Sequence, residues 1–217
     1  PMILQYRLEQ GVTVEVTAEE GAGKTRALDV ISIQGLPPEE WMQLANFEDL
    51  SAISPESALW LEMGPQHNTQ RVIDLFAPIG EGQRALIVAP PRSGKTMMLQ
   101  DIATAIAKNY PTHDLFALLL DERPEEVTEF RRSMQGTVLS SSYDDSVANH
   151  LRLAKLVLDY TKRQVEAGEN VVLLIDSLTR TGRAFNLGQQ GSGRMMTGGL
   201  DARALEVPKK VFGAARK

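Results

Sequence analysis

The run Ala89-Pro90-Pro91-Arg92-Ser93-Gly94-Lys95-Thr96 follows the apolar stretch Leu86-Ile87-Val88 and precedes a segment of helical periodicity. A loop between a buried strand and a helix, ending Gly-Lys-Thr, is a P-loop, and its chemistry is the holding of phosphate. Backbone N–H groups at the helix start point at the anion, the glycine admits close approach, and the lysine adds charge. Gly94 and Lys95 have the types and spacing for those roles, and the Thr96 hydroxyl suits Mg²⁺. Ala89 stands where such loops have their first glycine. Gly23-Lys24-Thr25 is an internal control: glutamates precede it and a strand candidate follows, so it reads as a polar hairpin turn.

Two carboxylates stand at strand ends. Asp176 closes the apolar run Val171-Val172-Leu173-Leu174-Ile175. At that edge of a parallel sheet an aspartate holds Mg²⁺ directly or through water, or else caps the next helix. Leu118-Leu119-Leu120 leads into Asp121-Glu122-Arg123, which makes Glu122 a candidate general base for a water in line with a terminal phosphate. The alternative is an acidic helix start made of Asp121, Glu122, Glu125 and Glu126 and favoured by the helix dipole. Five glycines fall between Asn186 and Gly199. That segment is either a flexible connector or a loop whose Arg194 and main-chain N–H groups contact a phosphate backbone.

A sheet must position these groups. From Arg71 onward, strand candidates at 85–88, 115–120, 137–140 and 171–175 alternate with helical patterns at 95–107, 125–135 and 146–167, the last led by Asp145 as cap. That alternation implies an α/β domain with a mainly parallel sheet. Before Arg71 the chain reads as two strand candidates, 11–17 and 28–33, then a short helical candidate near 39–46 and loops.

Composition bounds the function. With 217 residues, 42% hydrophobic and 24% charged, the chain is of ordinary globular type. It has no cysteine, which excludes disulfides and thiolate metal sites and suits a reducing compartment, and its histidines, His67, His113 and His150, are scattered. No apolar run approaches the ~18 residues of a membrane span, so a cytoplasmic location is expected, with no membrane partner. A net charge of -5 argues against a surface that coats nucleic acid wholesale, while five basic residues against Glu206 between Arg203 and Lys217 leave room for a local basic site or plain solvated surface.

Residues 71–96, the block Asp121-Glu122-Arg123-Pro124-Glu125-Glu126-Val127, Asp176-Ser177-Leu178-Thr179-Arg180, Thr197-Gly198-Gly199 and Phe212-Gly213-Ala214-Ala215-Arg216 resemble the bacterial transcription termination factor Rho family. The resemblance implies a RecA-like P-loop NTPase over 71–217, preceded by a connector (18–70) and the end of an oligonucleotide-binding fold (1–17). It implies an RNA-dependent ATPase and helicase, a homo-hexamer that binds Mg-ATP and single-stranded RNA and acts with the RNA polymerase machinery. The nucleotide would meet Gly80, Glu81, Gly82, Gln83, Arg84, Ala85, Arg92, Ser93, Gly94, Lys95, Thr96, Met97 and Arg123. Glu122 and Lys95 would be catalytic, Thr96 and Asp176 would hold Mg²⁺, and Arg194, Met195, Met196, Thr197, Gly198 and Gly199 would meet RNA.

Relative to that family the sequence carries only the end of the oligonucleotide-binding fold and stops before the second pore loop and the arginine finger, so weak hydrolysis by this chain alone is expected. Thr181-Gly182 also departs from the family's helix-favouring residues. The alternative is a truncated, non-catalytic nucleotide-binding or interaction module that joins a Rho-type hexamer.

Overall fold

The computed structural model describes residues 2–21, 24–51, 54–90, 93–142 and 144–177. They divide into two compact units, one of residues 2–50 with 156–170, the other of 51–155 with 171–177.

In the first unit a short helix α1 (Met2–Gln5) precedes an antiparallel pair, β1 (Val14–Gly21) and β2 (Lys24–Ile33), in which Gly21 faces Lys24. The second Gly-Lys-Thr therefore opens a strand and not a helix, as its glutamate-rich surroundings require. A helix α2 (Pro38–Trp41) starts on proline, whose missing N–H has no partner to lose there. Val30, Ile33 and Trp41 form the buried centre of this unit, with Tyr6, Leu8 and Val14 packed against them.

The second unit opens with β3 (Ala58–Leu59), helix α3 (Asn68–Phe76) and β4 (Ile79–Gly80), the two strands pairing antiparallel. Then come α4 (Lys95–Asn109), β5 (Asp114–Glu122), α5 (Pro124–Ser133), β6 (Thr137–Ser142), α6 (Val147–Glu166) and β7 (Val171–Asp176). Strand β5 lies between β6 and β7 and runs parallel to both. Six consecutive residues of it, Leu115 to Leu120, are buried, as expected of a strand covered on both faces. One face packs on Leu99, Ile102 and Ile106 of α4 and on Val127 and Phe130 of α5. Burying each such side chain contributes about 1.5–3 kcal/mol, and this core fixes the first turn of α4 against the sheet. No helix among the described residues is long and apolar enough to cross a membrane.

Two expectations change. The strand expected at 85–88 pairs with nothing among the described residues. Ile87 packs on the core while Leu86 and Val88 are 59% and 85% exposed. Of these three residues only Ile87 anchors the segment through its side chain. The cap of α6 is also displaced by one residue. Asp145 Oδ2 accepts from the Ser142 N–H at 2.7 Å, whereas Ser146 Oγ accepts from the Asn149 N–H at 3.3 Å, three residues on, as an N-cap does.

Candidate active site

Gly94 stands just before the first residue of α4 with φ 85°, a left-handed value that glycine adopts without strain. Its carbonyl accepts from the Met98 N–H at 2.9 Å, and Ser93 Oγ donates to the Pro90 carbonyl at 2.7 Å, folding the loop on itself. The N-cap position of α4 is a glycine, so among the described residues it offers no capping side chain. The first-turn N–H groups have no acceptor inside the helix, and with the positive end of its dipole they make a site for an anion.

At the end of β7, Asp176 is 1% exposed. Lys95 Nζ donates to its Oδ1, and Thr96 Oγ1 donates to its Oδ2 at 2.8 Å. A carboxylate this deep costs several kcal/mol unless it is paired and hydrogen-bonded, and here both oxygens are. The Lys95 side chain is 31% exposed, so its ammonium keeps access to a partner from outside.

Cross-strand partners share a face of the sheet. Leu115, Ala117 and Leu119 of β5 pair with Val172, Leu174 and Asp176 of β7, and all but Asp176 belong to or pack on the cluster built around α4. Asp176 therefore lies on the α4 face. Plain alternation would send Leu118, Leu120 and then Glu122 to the opposite face. A bulge intervenes: Leu120 pairs with Ser141 and Glu122 with the next residue, Ser142, so that Asp121, at φ 59°, is the extra residue. One inserted residue reverses the alternation, and Glu122, 3% exposed, takes the face of Asp176. It stands ~7 Å farther along the strand direction than Asp176 and ~5 Å across, one strand spacing.

Arg123 follows at the same sheet edge, exposed at the N-cap position of α5, and Met97 is 69% exposed on the first turn of α4. In the segment 80–85, Glu81 lies toward the other end of β5. Gly80 and Gln83 close a tight turn, with the Gln83 N–H donating to the Gly80 carbonyl at 3.0 Å and the Gly80 N–H donating to Gln83 Oε1 at 2.7 Å. A Cβ on Gly80 would lie 2.5 Å from Pro55 Cβ, so packing alone demands glycine. Glu81 Oε1 lies 3.9 Å from Nε2 of His113, the residue before β5. Nine residues of strand, about 26 Å, separate that end of β5 from Glu122, and the structure does not bring Glu81 to Lys95. Gly82, Gln83, Arg84 and Ala85 lead from the turn toward the loop. Arg92, the expected RNA contacts Arg194, Met195, Met196, Thr197, Gly198 and Gly199, and Thr181-Gly182 lie outside the described residues.

Sequence reading missed the Asp121 bulge and a buried pair, Ser141 on β6 opposite it and His150 on α6. The one available signal was chemical: aspartate is among the few residues besides glycine that tolerate a left-handed backbone.

A model of the ATP synthase alpha/beta family, nucleotide-binding domain, matches residues 69–196. The chain belongs to this family. Within it the similarity to Rho, read first from motifs, extends along the whole chain. The transcription termination factor Rho of Streptomyces coelicolor is 48% identical over 217 residues, 100% of this chain and 51% of that protein. Rho of Streptosporangium roseum is 48% identical over 214 residues, 99% of this chain and 54% of that protein. The chain thus spans about half the length of these curated relatives. Among solved structures, a prototypical ATPase from the type III secretion system of pathogenic bacteria superposes with a TM-score of 0.63 at 22% identity, covering 76% of this chain and 46% of that one. The fold of the family member described here is RecA-like, with the P-loop opening α4 and a parallel sheet behind it.

The donor set also fits a hard cation. Mg²⁺ takes oxygen ligands and is held by one or two carboxylates together with substrate phosphates. Asp176 and Thr96 present one carboxylate and one hydroxyl in contact with each other at the first turn of α4.

Proposed function

We propose that this chain is the ATP-hydrolysing motor portion of a Rho-type, RNA-dependent ATPase that works as a ring in transcription termination. The observation that carries the reading is the convergence of Lys95 and Thr96 on the buried Asp176 at the uncapped start of α4. The identity to Rho proteins supports RNA as the polymer.

In this reading the N–H groups of the α4 first turn and Lys95 hold the β- and γ-phosphates, with Ser93, Gly94 and Met97 lining the loop. Lys95 exchanges the Asp176 oxygen for a phosphate oxygen as ATP enters. Thr96 and Asp176 would hold Mg²⁺, which when bound supplies positive charge against the phosphate oxygens. Glu122 accepts the proton of the attacking water while the new oxygen–phosphorus bond forms and the bond to the β-phosphate oxygen breaks. Arg123, at the same edge, adds charge near the phosphates. The residues Arg194 to Gly199 contact the RNA backbone. Hydrolysis within the ring is the working activity.

The test is ATP hydrolysis with and without single-stranded RNA across a salt series. Stimulation by RNA that falls steeply with salt is expected, because phosphate contacts release counterions. Hydrolysis indifferent to RNA would refute the assignment of the polymer.

A further inference from the structure

Three hydrogen bonds hold the end of β6 just opposite the bulge. Ser141, 5% exposed, shares a hydrogen bond of 2.7 Å with Nδ1 of His150 on α6, itself 5% exposed. Ser142 gives its N–H to Asp145 Oδ2 at 2.7 Å, and its carbonyl accepts from the Asp145 N–H at 2.9 Å. These two serines are the partners of Leu120 and Glu122, the residues on either side of the inserted Asp121.

A left-handed backbone at a residue other than glycine persists only where its surroundings over-determine it. A bulge also breaks the ladder locally, so its register depends on the partner strand keeping still. The backbone of β6 cannot supply that alone, because β6 ends at Ser142. The buried polar pair on α6 and the Asp145 turn do supply it.

We propose that His150 and Ser141 are positioning residues for hydrolysis: they lock the end of β6, hold the Asp121 bulge in register, and so keep Glu122 on the nucleotide face of the sheet. This rests on the assignment of Glu122 as the base. His150 and Ser141 act through β6 and Glu122, not on the nucleotide. Their loss lowers turnover and leaves nucleotide affinity, which depends on Lys95 and Thr96, as it was. His150→Asn keeps a polar atom where Nδ1 stands and preserves function, while Ser141→Ala removes the hydroxyl at almost no change in volume.

The experiment measures ATP affinity and RNA-stimulated turnover in the natural full-length protein for Ser141→Ala, His150→Ala, His150→Asn and Glu122→Gln. Ser141→Ala and His150→Ala are expected to lose about 10–100-fold in kcat, the scale of a small misplacement of a reacting group, with ATP affinity within about twofold and His150→Asn close to the parent. Parental kcat in Ser141→Ala, with Glu122→Gln inactive, overturns the positioning role alone. Loss of ATP affinity in step with kcat, or His150→Asn as impaired as His150→Ala, overturns it as well. Parental kcat in Glu122→Gln removes the base assignment and the lock together. If His150→Ala does not fold, Ser141→Ala against His150→Asn decides the same question.

Discussion

Glu122 and Asp176 occupy the same face of the parallel sheet although two-residue alternation from Leu119, the strand partner of Asp176, would separate them. The inserted Asp121 brings the two carboxylates to the side where α4 presents Lys95 and Thr96. Removal of the Glu122 charge should leave ATP binding within about twofold and lower turnover by about 10²–10⁴, the contribution of a general base. Comparing single-turnover hydrolysis of Glu122→Gln with its nucleotide titration checks this.

The bulge itself is open to test. Valine at 121 would place a β-branched side chain at φ 59°, a conformation aspartate tolerates far better. Asp121→Val should lose roughly 1–3 kcal/mol in denaturant unfolding, and its turnover should fall more than its ATP affinity. Unchanged turnover would show that Glu122 does not need the bulge.

The Lys95–Asp176 pair predicts a stability effect that an exposed lysine would not give. Among the described residues, Lys95→Ala leaves a carboxylate of 1% exposure with the Thr96 hydroxyl as its remaining side-chain partner. Breaking a fully buried pair costs about 3–5 kcal/mol, and because Lys95 is 31% exposed the loss here should be nearer about 1–3 kcal/mol after allowance for solvent screening. Asp176→Asn in the same background should restore part of it, since the amide needs no counter-charge. Thermal unfolding of the single and double variants measures the coupling.

How much of this was legible in the residues follows from what each feature depends on. Gly94, Lys95, Thr96 and Asp176 could be read directly, because phosphate chemistry fixes types and spacings and the flanking apolar runs fix context. The β5 and β7 strands were readable because continuous apolar runs suit strands covered on both faces, and β6, with only Val138 and Leu139 apolar, was placed by its position between two helical patterns. The side of the sheet taken by Glu122 was not readable, since it turns on one residue whose backbone sign depends on how β6 is held. Nor was the close approach of Gly80 to Pro55, distant in sequence, which adds a packing demand for glycine there. The cap of α6 went to Ser146 because Asp145 is engaged by Ser142, a competition between neighbouring acceptors that sequence does not rank.

The first unit carries a pH effect. Glu166 accepts from the Phe47 N–H at 2.6 Å and pairs with Arg163, which also binds Glu9. Burial pushes the Glu166 carboxyl above its ordinary 4.5, against the pull of those partners. A group raised in the folded state contributes stability that is full below its unfolded value and is lost as pH rises through the folded one. Glu166→Gln, which keeps an acceptor for Phe47, should therefore gain stability relative to the parent as pH rises upward from 4.5. A parent-minus-variant stability difference flat with pH would contradict this.

The account depends most on a polyphosphate seated at the start of α4, and equilibrium titration with Mg-ATP in the parent and in Lys95→Ala, both shown folded at the temperature used, addresses it directly. The parent should bind, and Lys95→Ala should lose at least about tenfold in affinity, the equivalent of one charge-assisted contact of about 1.4 kcal/mol. Equal affinity in the two proteins would place the nucleotide elsewhere and contradict the account.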